Sequence, residues 1–274
     1  MRARSHTPPY LLRLVQDTAQ ALARVDPFDR AMTLAAQAFT SLFPLVIIAA
    51  TTLGQGSESL GDRISDSLSL PADTRSVLET ALGHQPSSES AAFGIVSVLV
   101  VLLSATSFAR ALARMYARVW RVPPSGWTGG WRWVAVIVGV ALCTLIVKAA
   151  DRAARGELPA TVGAVVLTLV VYTVLWSWVP WLLLVRRVSY TALLPGGVLS
   201  GVGCVGTLLA SHVYMPRALE SAAREFGAFG VAFTYIGWLF VVAFVLIVAT
   251  VLGWVLQEAG GPPPSGSSAA LTET

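Results

Sequence analysis

The amino-acid sequence predicts an all-α membrane protein, a bundle of six transmembrane helices entered through an N-terminal amphipathic surface helix. Three observations carry that expectation. Apolar residues fill 55% of the 274 positions and charged residues only 12%, against about a quarter charged in soluble domains. The apolar residues fall in six long runs with no soluble-looking block between them. The basic residues collect in particular connections instead of spreading along the chain.

Residues 1–30 make the N-terminal segment. From Pro9 to Val25, apolar Leu11, Leu14, Val15, Leu22 and Val25 recur at roughly helical spacing, with Arg13, Asp17 and Arg24 on the polar side. That pattern predicts a helix lying on the membrane surface. Asp26-Pro27 ends it and turns the chain toward the bilayer. No continuous apolar core precedes residue 30, so no cleavable signal peptide is expected.

The transmembrane domain spans 31–256. Crossing a hydrocarbon layer of about 30 Å takes roughly 20 mostly apolar residues. Six stretches qualify: Ala31–Leu53, Phe93–Leu112, Trp131–Ala150, Leu158–Val185, Thr191–Tyr214 and Val231–Leu256. No acidic residue lies inside any of them, and Arg110, Arg132 and Lys148 sit at ends, where long side chains reach the headgroups. The fourth stretch is long enough to tilt, or to kink at Pro180. A Ser-rich outer loop is expected over about 54–92, with two short helices around Pro71, and residues 257–274 read as a disordered cytoplasmic tail.

Loop charge sets the orientation. With six crossings, the side shared by both termini carries twelve basic and five acidic residues, and the opposite side seven and ten. The positive-inside tendency puts both termini in the cytoplasm. The net charge of +4 is explained by this placement, and no nucleic-acid partner is expected. Trp120, Trp127, Trp131 and Trp133, and then Trp176, Trp178 and Trp181, mark headgroup levels.

Catalysis is not expected. His6, His84 and His212 stand far apart, no metal spacing or Gly-rich phosphate loop is present, and no metal or cofactor is expected. Cys143 and Cys204 fall inside apolar runs and read as small packing residues.

Three groups remain as candidates. Arg110, Arg114, Arg118 and Arg121, spaced by four, four and three, are expected to line one helix face. They serve either to anchor a helix end in anionic headgroups or to gate an anionic substrate. In the first span Gln37, with Thr33, Thr40, Ser41 and Pro44 at spacings of three and four, forms one stripe. An amide in hydrocarbon turns inward, to pair with another helix or to line a wet path. Gly197 and Gly201, followed by Gly203 and Gly206, give the fifth span a small face. It serves close packing, or a cavity shared with the first span. Gly227 and Gly230 predict a tight bend before the sixth span, and Glu220, Arg224 and Glu225 a short paired helix ahead of it.

Three stretches carry a resemblance. The first span reads Leu34-Ala35-Ala36-Gln37-Ala38-Phe39-Thr40-Ser41-Leu42-Phe43-Pro44-Leu45, the fifth opens Leu194-Pro195-Gly196-Gly197, and Phe226-Gly227-Ala228-Phe229-Gly230 leads to Trp238-Leu239-Phe240. In this order they are similar to motifs of the BrkB/YihY-type inner-membrane family, once mislabelled as a ribonuclease. The family often closes its last span with Gly-Ala-Glu, whereas Ala249, Thr250 and Val251 stand here, so the acidic residue is missing. The resemblance implies six helices in a bacterial plasma membrane with cytoplasmic termini. Two functions then compete: a transporter or lipid/solute-handling protein of the envelope, and a non-catalytic scaffold for envelope assembly. Membrane lipids, anionic headgroups among them, are the expected partners, and the pattern is compatible with a homo-oligomer. A cavity favours the first function and a solid bundle the second.

Overall fold

A computed structural model describes residues 10–53, 90–123, 130–154 and 158–260, and every regular element among them is a helix. The surface helix is α1, Tyr10–Val25, and α2, Pro27–Leu53, follows after one residue. Asp26 makes that turn with φ 51, a left-handed conformation that Asp tolerates better than most side chains. Its N–H donates to Leu22 O at 3.1 Å and its own carbonyl accepts from Arg30 N at 3.2 Å, so one residue closes α1 and opens α2. Pro27 suits the first helical position, where no intrahelical donor is needed.

The remaining helices are α3, Ser90–Val119, α4, Gly130–Ala153, and α5, Leu158–Leu183. After them comes an unbroken helical stretch, Tyr190–Gly260, with one non-helical residue, Gly227, at φ 60 and ψ −140. It divides into α6, Tyr190–Gly227, and α7, Phe229–Ala259. A backbone like that of Gly227 is open to glycine and nearly closed to other residues. Gly230 is held on different grounds, since a Cβ there would overlap the Ala222 carbonyl. The expected bend is present.

Four helices among the described residues are long and apolar enough to cross a membrane: Trp131–Ala150, Val162–Leu183, Tyr190–Gly227 and Phe229–Ala259. The first two expected stretches are helical within α2 and α3, though most side chains between 42 and 102 lie outside the described residues. The loop around Pro71 and the tail beyond Gly260 also lie outside them, and residues 257–260 continue the last helix. The fifth stretch was expected to stop at Tyr214, with a separate short helix after it. Instead α6 runs on to Gly227. Pro216 lies inside it without ending it, and beyond the proline Leu219 is buried and Glu220 pairs with Arg224.

The end of the bundle that carries α1 is termed basal and the other apical. Between α3 and α7 lies α2, whose Phe28 meets Phe240 at 5.2 Å and Phe244 at 5.6 Å between ring centroids. The core is Leu34, Leu112, Met115, Tyr116, Val179, Leu193, Ile247 and Val251. Buried Thr168, Ser177 and Thr250 donate to carbonyls four residues back, at 2.8, 2.8 and 2.7 Å. Back-bonding of this kind keeps a hydroxyl satisfied where water is excluded. The most exposed span is α4, which turns Val138, Leu142 and Leu145 outward.

Candidate functional site

The arginine series does not stay on one face. Arg110 lies half-buried, donating from Nη2 to Ser107 Oγ at 3.2 Å, with its guanidinium 5.6 Å from the Trp133 ring of α4. Arg114 and Arg118 are exposed. They stand near Arg30 at the start of α2, where burial pushes the Arg30 guanidinium below its ordinary value and repulsion from Arg118 adds to it. Arg121 leaves the face altogether. The helix ends at Val119, Val122 N–H donates back to Ala117 O at 3.0 Å, and Arg121 takes φ 52. Its guanidinium then lies 5.0 Å from the Trp254 ring. The spacing of four, four and three held only while the helix did.

The polar stripe of α2 also departs from expectation. The helix buries Ala31, Leu34 and Ala35, and the stripe lies away from them. Thr33 and Thr40 are exposed, and Ser41 is half-buried. Their hydroxyls donate within the helix: Thr33 to Asp29 O at 2.9 Å, Thr40 to Ala36 O, and Ser41 to Gln37 O at 2.7 Å. The Gln37 Oε1 atom is buried without a hydrogen-bond partner. Pro44 lies inside α2, and its side-chain surroundings fall outside the described residues.

Gly197 and Gly201 do not turn toward the first span. A Cβ at Gly201 would stand 2.6 Å from Thr173 Oγ1, and one at Gly197 would overlap Ser177 Oγ, so α5 fills the space beside both. The fifth span is thus clasped by α5 in a close seam at these two glycines. The reason is complementary size, since glycine on one helix admits a small hydroxyl residue on the next.

A cleft lies elsewhere. Where α6 and α7 part below the bend, they form a cleft of about 920 Å³ lined by Tyr214, Phe226, Phe229, Phe233, Gly237 and Trp238 among others. Tyr214 and Trp238 stack at 5.9 Å with an interplanar angle of 22°. Phe226, Phe229 and Phe233 are exposed. Thr234 Oγ1 donates to Gly230 O at 2.9 Å, so the polar groups left on a mostly apolar lining are the Tyr214 hydroxyl and the Trp238 indole N–H. Sequence reasoning saw the bend at Gly227 and Gly230 but not the cleft. The signal was there in Phe226, Phe229 and Phe233, spaced three and four apart, with Trp238 beyond.

An all-helical chain with long apolar helices, arginines set against tryptophans and an apolar cleft between two helices is a membrane protein. It belongs to the family described as virulence factor BrkB, whose model matches residues 18–271. No curated protein and no solved structure matches the chain.

Proposed function

We propose that this chain is a multi-pass protein of the bacterial plasma membrane that handles an amphipathic lipid or solute of the envelope, without catalysis. It crosses six times with both termini in the cytoplasm. The observation that carries the reading is the cleft between α6 and α7. Its volume of about 920 Å³ falls in the range of small-molecule sites. Its lining suits an acyl chain and offers little to a hydrated ion. Tyr214 and Trp238 are residues that favour the boundary between hydrocarbon and headgroups, which sets the cleft at that level. Arg114 and Arg118, exposed at the basal end, are the contacts for anionic headgroups.

A photoactivatable lipid with its reactive group on the acyl chain tests this in nanodiscs. Crosslinks are expected to concentrate between Phe226 and Trp238. Gly237 lines the cleft with open space where a Cβ would stand, so Gly237→Leu puts a side chain into the site. Burying a Leu-sized group there displaces contacts of about 1.5–3 kcal/mol, and crosslinking should fall by about tenfold or more. A scaffold would give crosslinks spread along the outward face of α4 at Val138, Leu142 and Leu145, with Gly237→Leu silent. Sidedness is checked by reporter fusions at Gly261 and Ser88, which should read cytoplasm and exterior.

A further inference from the structure

A second pocket opens at the basal end, where the last turns of α1, the end of α3 and the last turns of α7 meet. It encloses about 530 Å³, and its charged lining is Asp17, Arg24, Arg121 and Glu258 around Trp254. Trp254 is the floor, with 7% of its surface exposed. Two guanidinium groups face that one ring, Arg24 at 5.4 Å and Arg121 at 5.0 Å from the centroid. Both are positioned by backbone. The left-handed turn after Val119 carries Arg121 over the ring, and Arg24 Nε donates to Gln20 O at 3.3 Å along its own helix.

Carboxylates and guanidinium groups share this pocket without pairing. Among the described residues the ion pair formed is Glu220–Arg224, at the apical side, and neither Asp17 nor Glu258 joins one. Two positive and two negative groups are therefore available to a ligand at once. A simple anion such as phosphate meets both arginines but also two carboxylates. A ligand carrying its own cation a few bonds from its anion satisfies all four.

Depth agrees with this chemistry. At 1.5 Å per residue, the 31 residues of α7 are about 46 Å long, against about 30 Å of hydrocarbon. The helix is therefore longer than the apolar layer is thick, and Glu258, in its last turn, is exposed.

The geometry points to a binding site for a phosphate–ammonium zwitterion, the headgroup chemistry of an ethanolamine phospholipid. Arg24 and Arg121 hold the phosphate oxygens as charge-assisted donors. Asp17 and Glu258 accept from the ammonium, and Val255 and the Trp254 edge receive the connecting methylenes. A primary ammonium fits better than a quaternary one. It brings N–H donors for the carboxylates, whereas a quaternary group seeks an aromatic face, and both cations of the protein already occupy Trp254. A singly anionic headgroup leaves the carboxylates unanswered. This site stands apart from the α6–α7 cleft and does not rest on it.

The test uses the full chain in nanodiscs made with phosphatidylethanolamine, phosphatidylglycerol or phosphatidylcholine, with bound lipid counted by native mass spectrometry. Phosphatidylethanolamine should be retained preferentially. Removing the carboxylate charge with Asp17→Asn and Glu258→Gln should shift preference toward phosphatidylglycerol by about tenfold, the value of one charge-assisted hydrogen bond. Glu258→Gln alone, in an exposed last turn, should shift it the same way, which keeps the test alive if the double variant does not fold. Arg24→Gln with Arg121→Gln should lower retention of all three. Soluble phosphoethanolamine and inorganic phosphate, titrated into the detergent-solubilised protein, separate the sources. Saturable phosphoethanolamine binding that Glu258→Gln weakens assigns the same chemistry to a free metabolite, and binding seen only in nanodiscs assigns it to the lipid. Equal retention of the three lipids without phosphoethanolamine binding, or a selectivity that the carboxylate variants leave unchanged, overturns the proposal. The cleft reading is read out by acyl-chain crosslinking and this one by headgroup selectivity, so the two fail separately.

Discussion

Along the α6–α7 hairpin the basal and apical halves use the same small and aromatic residues yet pack in opposite ways. In the basal half Gly253 comes so close to Gly196 that an added Cβ would overlap the opposite backbone. A little higher, a Cβ at Gly203 would run into Val245 Cγ1. In the apical half Gly206 and Gly237 have nothing within 4 Å of where a Cβ would stand, and the helices part around the cleft. Glycine in the basal half lets backbones touch. At Gly206 and Gly237 it leaves volume. The hairpin is closed at its base and again at the bend, where Gly230 meets the Ala222 carbonyl, and the open stretch between these contacts gives an apolar ligand a site with fixed walls.

The largest effect is expected where backbone meets backbone. Gly253→Ala should cost about 3 kcal/mol or more, at the upper end of overpacking in a dense core. Gly196→Ala, whose Cβ would lie 3.8 Å from the Gly253 and Thr250 Cα atoms, should cost far less. Unfolding in mixed micelles by SDS titration measures both. Equal losses at the two positions would mean the helices are not in the described register.

Next comes the seam with α5. Gly197→Ala meets Ser177 Oγ and, at 3.0 Å, the Thr173 carbonyl, of which only the first can move. A loss of about 1–3 kcal/mol follows. The double variant Gly197→Ala with Ser177→Ala should recover a good part of it. No recovery would show that the Thr173 backbone, and not the hydroxyl, limits the seam.

These seams show what the sequence can and cannot reveal. Hydropathy alone located the last four spans, since a membrane helix satisfies its own backbone and announces itself by length and apolarity. Gly197 and Gly201 could be recognised as a close-contact face. That the contact is Thr173 and Ser177 rather than the first span depends on how helices distant in sequence are arranged, and no periodicity encodes that. The arginine spacing failed for a local reason. It assumes a helix through residue 121, while the chain turns left-handed at Arg121 and delivers it to Trp254. Asp17 and Glu258, near opposite ends of the chain, gave no sign that they share a pocket.

A third region sharpens the contrast, because α2 holds one polar atom in neither arrangement. Gln37 Oε1 is buried without a partner, and a buried acceptor left unsatisfied costs about 1–3 kcal/mol. Gln37→Leu should therefore raise stability by about 1 kcal/mol in the same SDS titration. The substitution is informative in a second way. If the amide serves lipid handling, acyl-chain crosslinking at the α6–α7 cleft should fall while stability rises. A stability gain with unchanged crosslinking places Gln37 outside the pathway.

The smallest effect tests the open half directly. Glycine inside a helix is worse than alanine by up to about 1 kcal/mol in water, through backbone entropy. Where nothing stands within 4 Å, as at Gly206 and Gly237, the added methyl meets no obstacle and the change should be a small gain. Gly206→Ala and Gly237→Ala should each stabilise by a few tenths to about 1 kcal/mol, opposite in sign to Gly253→Ala. The Gly237 methyl enters the cleft, so it should also reduce acyl-chain crosslinking there slightly, while Gly206→Ala should not. A loss of stability at either position would mean the apical ends of α6 and α7 close on each other in the bilayer. The cleft would then be a minor state of the hairpin and not its resting form.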